Sequence, residues 1–124
     1  MEQQQGHTTM TGEMQHSVQS SLDCSRTCLE TVRHCLEMGG KHAEAGHITT
    51  MLDCAEICQT NANFLLRGSQ SYLSFAQLCA DVCDQCAVSC EQFGDDAQMR
   101  ACAEACRRCA SSCRQLTRAQ RRAA

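Results

Sequence analysis

The chain has 124 residues, the size of one domain, with a formal charge of −3, thirteen cysteines, three phenylalanines, one tyrosine and neither proline nor tryptophan. Scattered arginines on a mildly acidic chain exclude a basic field for nucleic acid, and the longest run of large apolar residues, Phe64-Leu65-Leu66, excludes a membrane span. An ordinary core of this size would hold more large apolar groups, so the cysteines take their place.

In chain order, residues 1–14 read as a flexible polar tail and residues 15–121 as one helical domain. No apolar h-region of a secretory signal is present, so the polar start fits either a cytosolic N-terminus or a mature one after signal removal. The first helix is expected from about Gln15 to Met38, stopped by Gly39-Gly40. The second runs from about His47 to Arg67, stopped by Gly68, and the third from about Ser71 to Phe93, stopped by Gly94. Ser69 or Ser71 can cap the third helix, and Asp95 or Asp96 the fourth, from about Asp96 to Arg121. The basic end, "RQLTRAQRR", suits a solvated helix C-terminus. Short connections make neighbours antiparallel. The expected fold is all-α: an antiparallel up-down four-helix bundle with a cysteine-lined core.

The cysteines follow the helices. "CADVCDQCAVSC" (79–90) and "CAEACRRCASSC" (102–113) repeat one spacing. At about 100° per residue, each set of four falls within about 60° of arc, where a bundle normally keeps leucine. Cys24, Cys28 and Cys35 span about 40° on the first helix. Residues at one level of an antiparallel pair have numbers adding to a constant. Cys79/Cys113, Cys83/Cys109, Cys86/Cys106 and Cys90/Cys102 share one such total, and Cys28/Cys58 and Cys35/Met51 another. The thiols should therefore stack in layers.

A disulfide scaffold does not fit. Thirteen is odd, the chain is not loop-rich, and twelve cysteines form six C-x-x-x-C pairs. Cβ atoms at i and i+4 of a helix lie about 5–6 Å apart, whereas a disulfide wants about 3.5–4.5 Å. Such pairs are placed to grip something between them. Soft sulfur selects Cu(I), zinc or iron–sulfur clusters. Zinc wants isolated tetrahedral sets, which a continuous ladder does not supply, and the iron–sulfur run C-x2-C-x2-C-x3-C-P is absent. Cu(I) accepts two or three thiolates. With bonds near about 2.3 Å, a two-coordinate ion spans about 4.5 Å between sulfurs, which an i,i+4 pair reaches. The candidate metal ligands are Cys24, Cys28, Cys35, Cys54, Cys58, Cys79, Cys83, Cys86, Cys90, Cys102, Cys106, Cys109 and Cys113, for multiple Cu(I) ions per chain. No nucleophile–base–orienter set appears, so no enzyme is expected.

On the residues "MLDCAEICQTNANFLLRGS", "CADVCDQCAVSCE" and "CAEACRRCASSC", the chain resembles the bacterial cysteine-rich four-helix-bundle copper storage proteins, over about residues 20 to 116. The resemblance implies a homotetramer of bundles, each holding many Cu(I) ions as a reserve for cuproenzymes, among them membrane methane monooxygenase, with copper-transfer partners. It favours an exported protein, with a cytoplasmic one as the alternative. Thirteen thiols are similar to the members exported by the twin-arginine route, the cytoplasmic members often carrying more.

The two ends of the tube should differ. Leu65, Tyr72, Phe75 and Leu116 would plug one. At the other, Met38, His47 and Met51 lie near Cys35, Cys90 and Cys102 and are candidate metal ligands at a loading port, since thioether and imidazole bind Cu(I) without losing a proton. The same methionines could instead fill gaps in a core, and His47 could be a surface residue. His34 reads as a surface or interface group, His42 as solvated, and His7, Met10, Met14 and His16 as a disordered segment. Leu22, Leu29 and Leu36 form a second apolar stripe for a neighbouring helix or a second subunit. Asp81, Asp84, Glu91 and Glu104 read as solvated faces. Storage is the expected function; a copper chaperone or detoxification protein is the alternative. A thiol oxidoreductase using Cys83/Cys86 or Cys106/Cys109 lacks the strand pattern such chemistry accompanies.

Overall fold

The computed structural model describes residues 10–123. Four helices account for nearly all of them: α1 (Gly12–Met38), α2 (Ala45–Leu66), α3 (Tyr72–Glu91) and α4 (Ala97–Ala123), with a short 3-10 turn (Gly40–Ala43) between α1 and α2. No strand occurs among the described residues. Each helix packs against the next in sequence and α1 closes the square against α4. This is the expected up-down bundle.

The helix ends follow local chemistry. Thr11 caps α1 by accepting the amide of Met14 at 3.1 Å. The helix therefore starts three residues earlier than expected, and residues 12–14 belong to it rather than to a tail; residues 1–9, His7 included, lie outside the described residues. Met10 and Met14 pack, half-buried, against the core, which corrects their reading as disordered; His16 is exposed on α1. Gly39 stops α1 with φ of 72°, in the left-handed region where glycine carries no Cβ penalty. After α2, Gly68 does the same at φ 70°. Asp96 starts α4: its Oδ1 accepts the amides of Gln98 (2.9 Å) and Met99 (3.2 Å). Ser71 precedes α3 without a side-chain cap bond.

Small residues let the helices approach closely. Ala55, Ala62, Ala76, Ala80, Ala87, Ala103, Ala105 and Ala110 are buried beside the thiols. Seams are tied by hydroxyls, as where Ser25 Oγ donates to the Ala55 carbonyl at 2.8 Å. Outside, Arg107 pairs with Glu91 (2.9 Å) and Asp84 (3.2 Å), and Arg114 with Asp84 (2.7 Å) and Asp81 (3.2 Å). Three of the four acidic residues read as simply solvated thus bridge α3 to α4, although exposed pairs of this kind contribute only about 0–1 kcal/mol. Leu65 and Leu116 are buried at the end formed by the α2–α3 link, with Tyr72 half-buried; Phe75 stacks on Phe64 there at 4.6 Å. That end is plugged as expected.

Candidate metal centre

All thirteen cysteines are free thiols, and none is exposed. Their stripes face one axis because each helix repeats cysteine at three- and four-residue steps, keeping one face inward. Along an i,i+4 pair, Cys24 and Cys28 Sγ atoms are 4.0 Å apart, as are those of Cys54 and Cys58. Both distances approach the span of a linear dithiolate ion and are far from the about 2.05 Å of a disulfide.

The layers run from the plugged end outward. Cys79, Cys109 and Cys113 form a trio, followed by three quartets: Cys24/Cys58/Cys83/Cys109, Cys24/Cys28/Cys54/Cys106 and Cys28/Cys86/Cys102/Cys106. Within each group every Sγ lies within 4.8 Å of the others. Cys58 is among the most crowded, with Sγ 3.4 Å from Cys83, 3.7 Å from Cys109 and 3.8 Å from Cys79. Neighbouring quartets share members, which suits ions bridged through common thiolates rather than closed single-ion tetrahedra. Cys90 is fully buried, next in the stack, its thiol pushed up by neighbouring Cys102 and Cys86.

The α3–α4 levels fall as expected: Cys79 meets Cys113, Cys83 meets Cys109 and Cys86 meets Cys106. The α1–α2 levels do not. Cys24, not Cys28, is level with Cys58, and Cys28 with Cys54; Cys35 faces His47, not Met51, at 3.5 Å. The register is shifted by about one helical turn, and α2 begins at Ala45, two residues before the expected start, after a compact 3-10 turn.

At the outer end Cys35 Sγ donates to Met99 Sδ at 3.4 Å, and His47 Nε2 approaches the same thiol. His47 Nδ1 bonds Ser89 Oγ at 2.6 Å. Met51 and Met99 are fully buried, and His47 is only 8% exposed. Met38 is 56% exposed at the last residue of α1, beyond the sulfur stack; the buried thioether beside Cys35 belongs to Met99 instead. Met99 stands three and seven residues before Cys102 and Cys106, on their stripe, and that periodicity could have found it. The same rule finds Ser17 and Ser21, seven and three residues before Cys24, and Asn61, three after Cys58. At the plugged end Ser17 Oγ lies 3.7 Å from Cys113 Sγ. Asn61 Nδ2 donates to Ser21 Oγ at 3.0 Å and lies 3.6 Å from the same thiol, while its buried Oδ1 has no partner among the described residues. These oxygens extend the sulfur column with hard donors.

Burial opposes charge on the thiols of the stack. The buried polar side chains are serines, threonines, Asn61 and His47; no lysine or arginine is buried among the described residues. Hydrogen bonds with Cys109 push Cys58 and Cys83 above the ordinary thiol range, while those with Cys106 hold Cys24, Cys54 and Cys102 below it and that with Cys109 holds Cys79 below it; burial opposes ionisation of each. Burial, then the charges of Asp96 and Cys102, push Cys35 up to about 11. Burial also lowers His47, leaving a neutral imidazole. Thiolates in this column therefore need a bound cation, and a metal ion replacing each lost proton would supply it.

The second apolar stripe faces mostly outward: Leu29 and Leu36 are 52% and 57% exposed, and Leu22 is half-buried. No helix among the described residues is long and apolar enough to cross a membrane.

The comparisons agree with this geometry. A solved structure of the Nmul_A1745 protein from Nitrosospira multiformis is 46% identical and superposes with a TM-score of 0.80, over 85% of this chain and 94% of that one. The Cu(I)-bound copper storage protein BsCsp3 is 30% identical with a TM-score of 0.80, over 85% and 98% of the two chains. The uncharacterized cysteine-rich protein YhjQ of Bacillus subtilis (strain 168) is 31% identical over 79 residues, 64% of this chain and 73% of its own length. The family model of Csp, copper storage protein, matches residues 10–118, and a thiol-lined bundle of this register, matched over that span, belongs to the copper storage protein family.

Proposed function

We propose that this chain stores copper, holding many Cu(I) ions on thiolates inside the bundle as a reserve for copper enzymes. One observation carries the reading: all thirteen thiols are buried and free, and eleven of them fall into overlapping groups whose sulfurs lie within 4.8 Å of one another. Soft thiolates select a soft monovalent ion, and bridging through shared members gives capacity for about as many ions as thiols. Burial keeps bound Cu(I) from oxygen and from partner thiols. The Cu(I) bound by BsCsp3 supports the same cargo here. All thirteen cysteines are the proposed ligands. Met51, Met99 and His47 serve the outermost ions, and copper enters at that end, since the opposite end is filled by Leu65 and Leu116. The exposed Leu29 and Leu36 on α1 support assembly of bundles into a tetramer.

Anaerobic titration of reduced protein with Cu(I) against a competing chelator tests the reading. Uptake of roughly ten or more equivalents, with loss of reactivity toward thiol reagents, is the expected result. A plateau near one equivalent would replace storage with delivery by a chaperone.

A further inference from the structure

Three potential metal ligands outside the sulfur column meet at the same end of the bundle. Asp96 Oδ2 lies 2.7 Å from His34 Nε2 and 3.1 Å from His42 Nε2. The three side chains come from three elements: α1, the 3-10 turn and the cap of α4. They are mostly withdrawn from solvent, at 29%, 17% and 15% side-chain exposure for His34, His42 and Asp96. The reading of His42 as solvated is thereby corrected, while His34, read as a surface or interface group, stays partly exposed.

The carboxylate is held by its other oxygen. Asp96 Oδ1 is fixed by the amides of Gln98 and Met99, so Oδ2 alone is turned to the imidazoles. The rings of His34 and His42 stand edge to face, 81° apart with centroids separated by 6.0 Å. Phe93 braces His42 from behind at 4.2 Å and touches His47 at 5.0 Å on its other side. The cluster therefore sits one aromatic ring away from the imidazole that faces Cys35.

We propose that His34, His42 and Asp96 form a second metal site, for a divalent transition ion such as Cu(II) or Zn(II), chemically distinct from the thiol column. The donor set is two imidazole nitrogens and one carboxylate oxygen, which suits borderline divalent ions and disfavours Cu(I). All three donor atoms already lie within 4.8 Å of one another. Metal–ligand bonds of about 2.0–2.2 Å require ligand separations of about 3.3 Å, so the side chains need open by only a few tenths of an ångström. Each imidazole gives its Nε2 lone pair to the ion and carries its proton on Nδ1, so no oxidation or reduction enters the step. The amide bonds to Oδ1 supply the outer support that ligating carboxylates ordinarily have.

The test uses protein whose thiols are already occupied. Chain filled anaerobically with Cu(I), which is silent in electron paramagnetic resonance, receives one equivalent of Cu(II). The expected spectrum is a single axial Cu(II) signal with coupling to two nitrogens, displaced only by Zn(II) in large excess. His34→Gln and His42→Gln should each remove one nitrogen coupling and weaken binding at least tenfold, with Cu(I) capacity unchanged. A signal unaltered by both substitutions, or no stoichiometric signal, overturns the proposal. If the column does not fill with Cu(I), the storage reading fails by itself. The second site is then judged by 15N NMR of the imidazoles, with Zn(II) added beyond thiol saturation. Joint movement of the His34 and His42 Nε2 resonances upholds it, and stationary resonances refute it.

Discussion

His47 Nδ1 and Ser89 Oγ lie 2.6 Å apart, a contact that decides which face the imidazole offers to Cys35. A neutral imidazole has one donor and one acceptor nitrogen. For Nε2 to bind a metal, Nδ1 must carry the proton, and the Ser89 hydroxyl is placed to accept it. Burial keeps this ring neutral. Loss of such an outer partner typically costs about 10–100-fold in metal affinity. Ser89→Ala should therefore weaken the outermost ion by about that factor while total capacity stays the same. Chelator competition over the last equivalent added checks this; an unchanged final equivalent would remove His47 from the ligand set.

Copper uptake should release protons. Burial opposes ionisation of thiols in the empty column, and Cys35 at its outer end is pushed up to about 11. At neutral pH each thiolate that binds metal must first lose its proton, so apparent affinity falls as pH falls, by up to about tenfold per pH unit for each thiol ionised. Indicator dye in weak buffer during anaerobic titration should record acidification with every equivalent. Uptake without proton release would mean that the thiols are already ionised when empty.

These expectations depend on features of unequal legibility in the sequence. The inward stripe of cysteines and the α3–α4 levels could be read because eight thiols share one spacing across a short link. The α1–α2 register could not, because it depends on how residues 39–44 fold: a 3-10 turn there precedes α2, and the helices stand about one turn from the expected register. Met99, Ser17, Ser21 and Asn61 continue the cysteine stripes as non-cysteine members, so a search by residue type overlooks what periodicity includes. The cluster of His34, His42 and Asp96 left no periodic trace, since it joins three elements through their ends. Met38 is the last residue of α1 and is 56% exposed, an outcome that the position of the helix end, not visible in the spacing, decides.

Leu116 tests the difference between core and cargo. It is fully buried at the plugged end, with Leu65 beside it in the core, and it touches the metal argument only by closing the tube. Leu116→Ala should destabilise the copper-free bundle by about 2–5 kcal/mol, the usual range for deleting a buried leucine. Copper capacity should be unchanged, because no thiol is removed. Denaturant unfolding and Cu(I) titration on the same variant give the two numbers; a large loss of capacity would show that the end is a binding element rather than a plug.

Asp96 gives the bundle an acid-sensitive latch. Its carboxyl is held at about 2, below the ordinary 3.8, first by the hydrogen bond from His34 and then by the Met99 amide and His42, against a smaller opposing effect of burial. The folded state thus binds fewer protons than the unfolded state between these values, and stability rises with pH across that window. The contribution is complete above about pH 4 and disappears as pH falls toward 2. After solvent screening it amounts to about 1 kcal/mol, equivalent to about 4 °C in Tm for a chain of this size. Asp96→Asn preserves the cap of α4, since asparagine caps as well as aspartate, but removes the titrating group. The wild type should therefore lose more of its Tm than the variant between pH 4 and pH 2, by about that amount. Parallel Tm profiles for the two proteins would show that the bonds from His34 and His42 contribute nothing through the charge of Asp96.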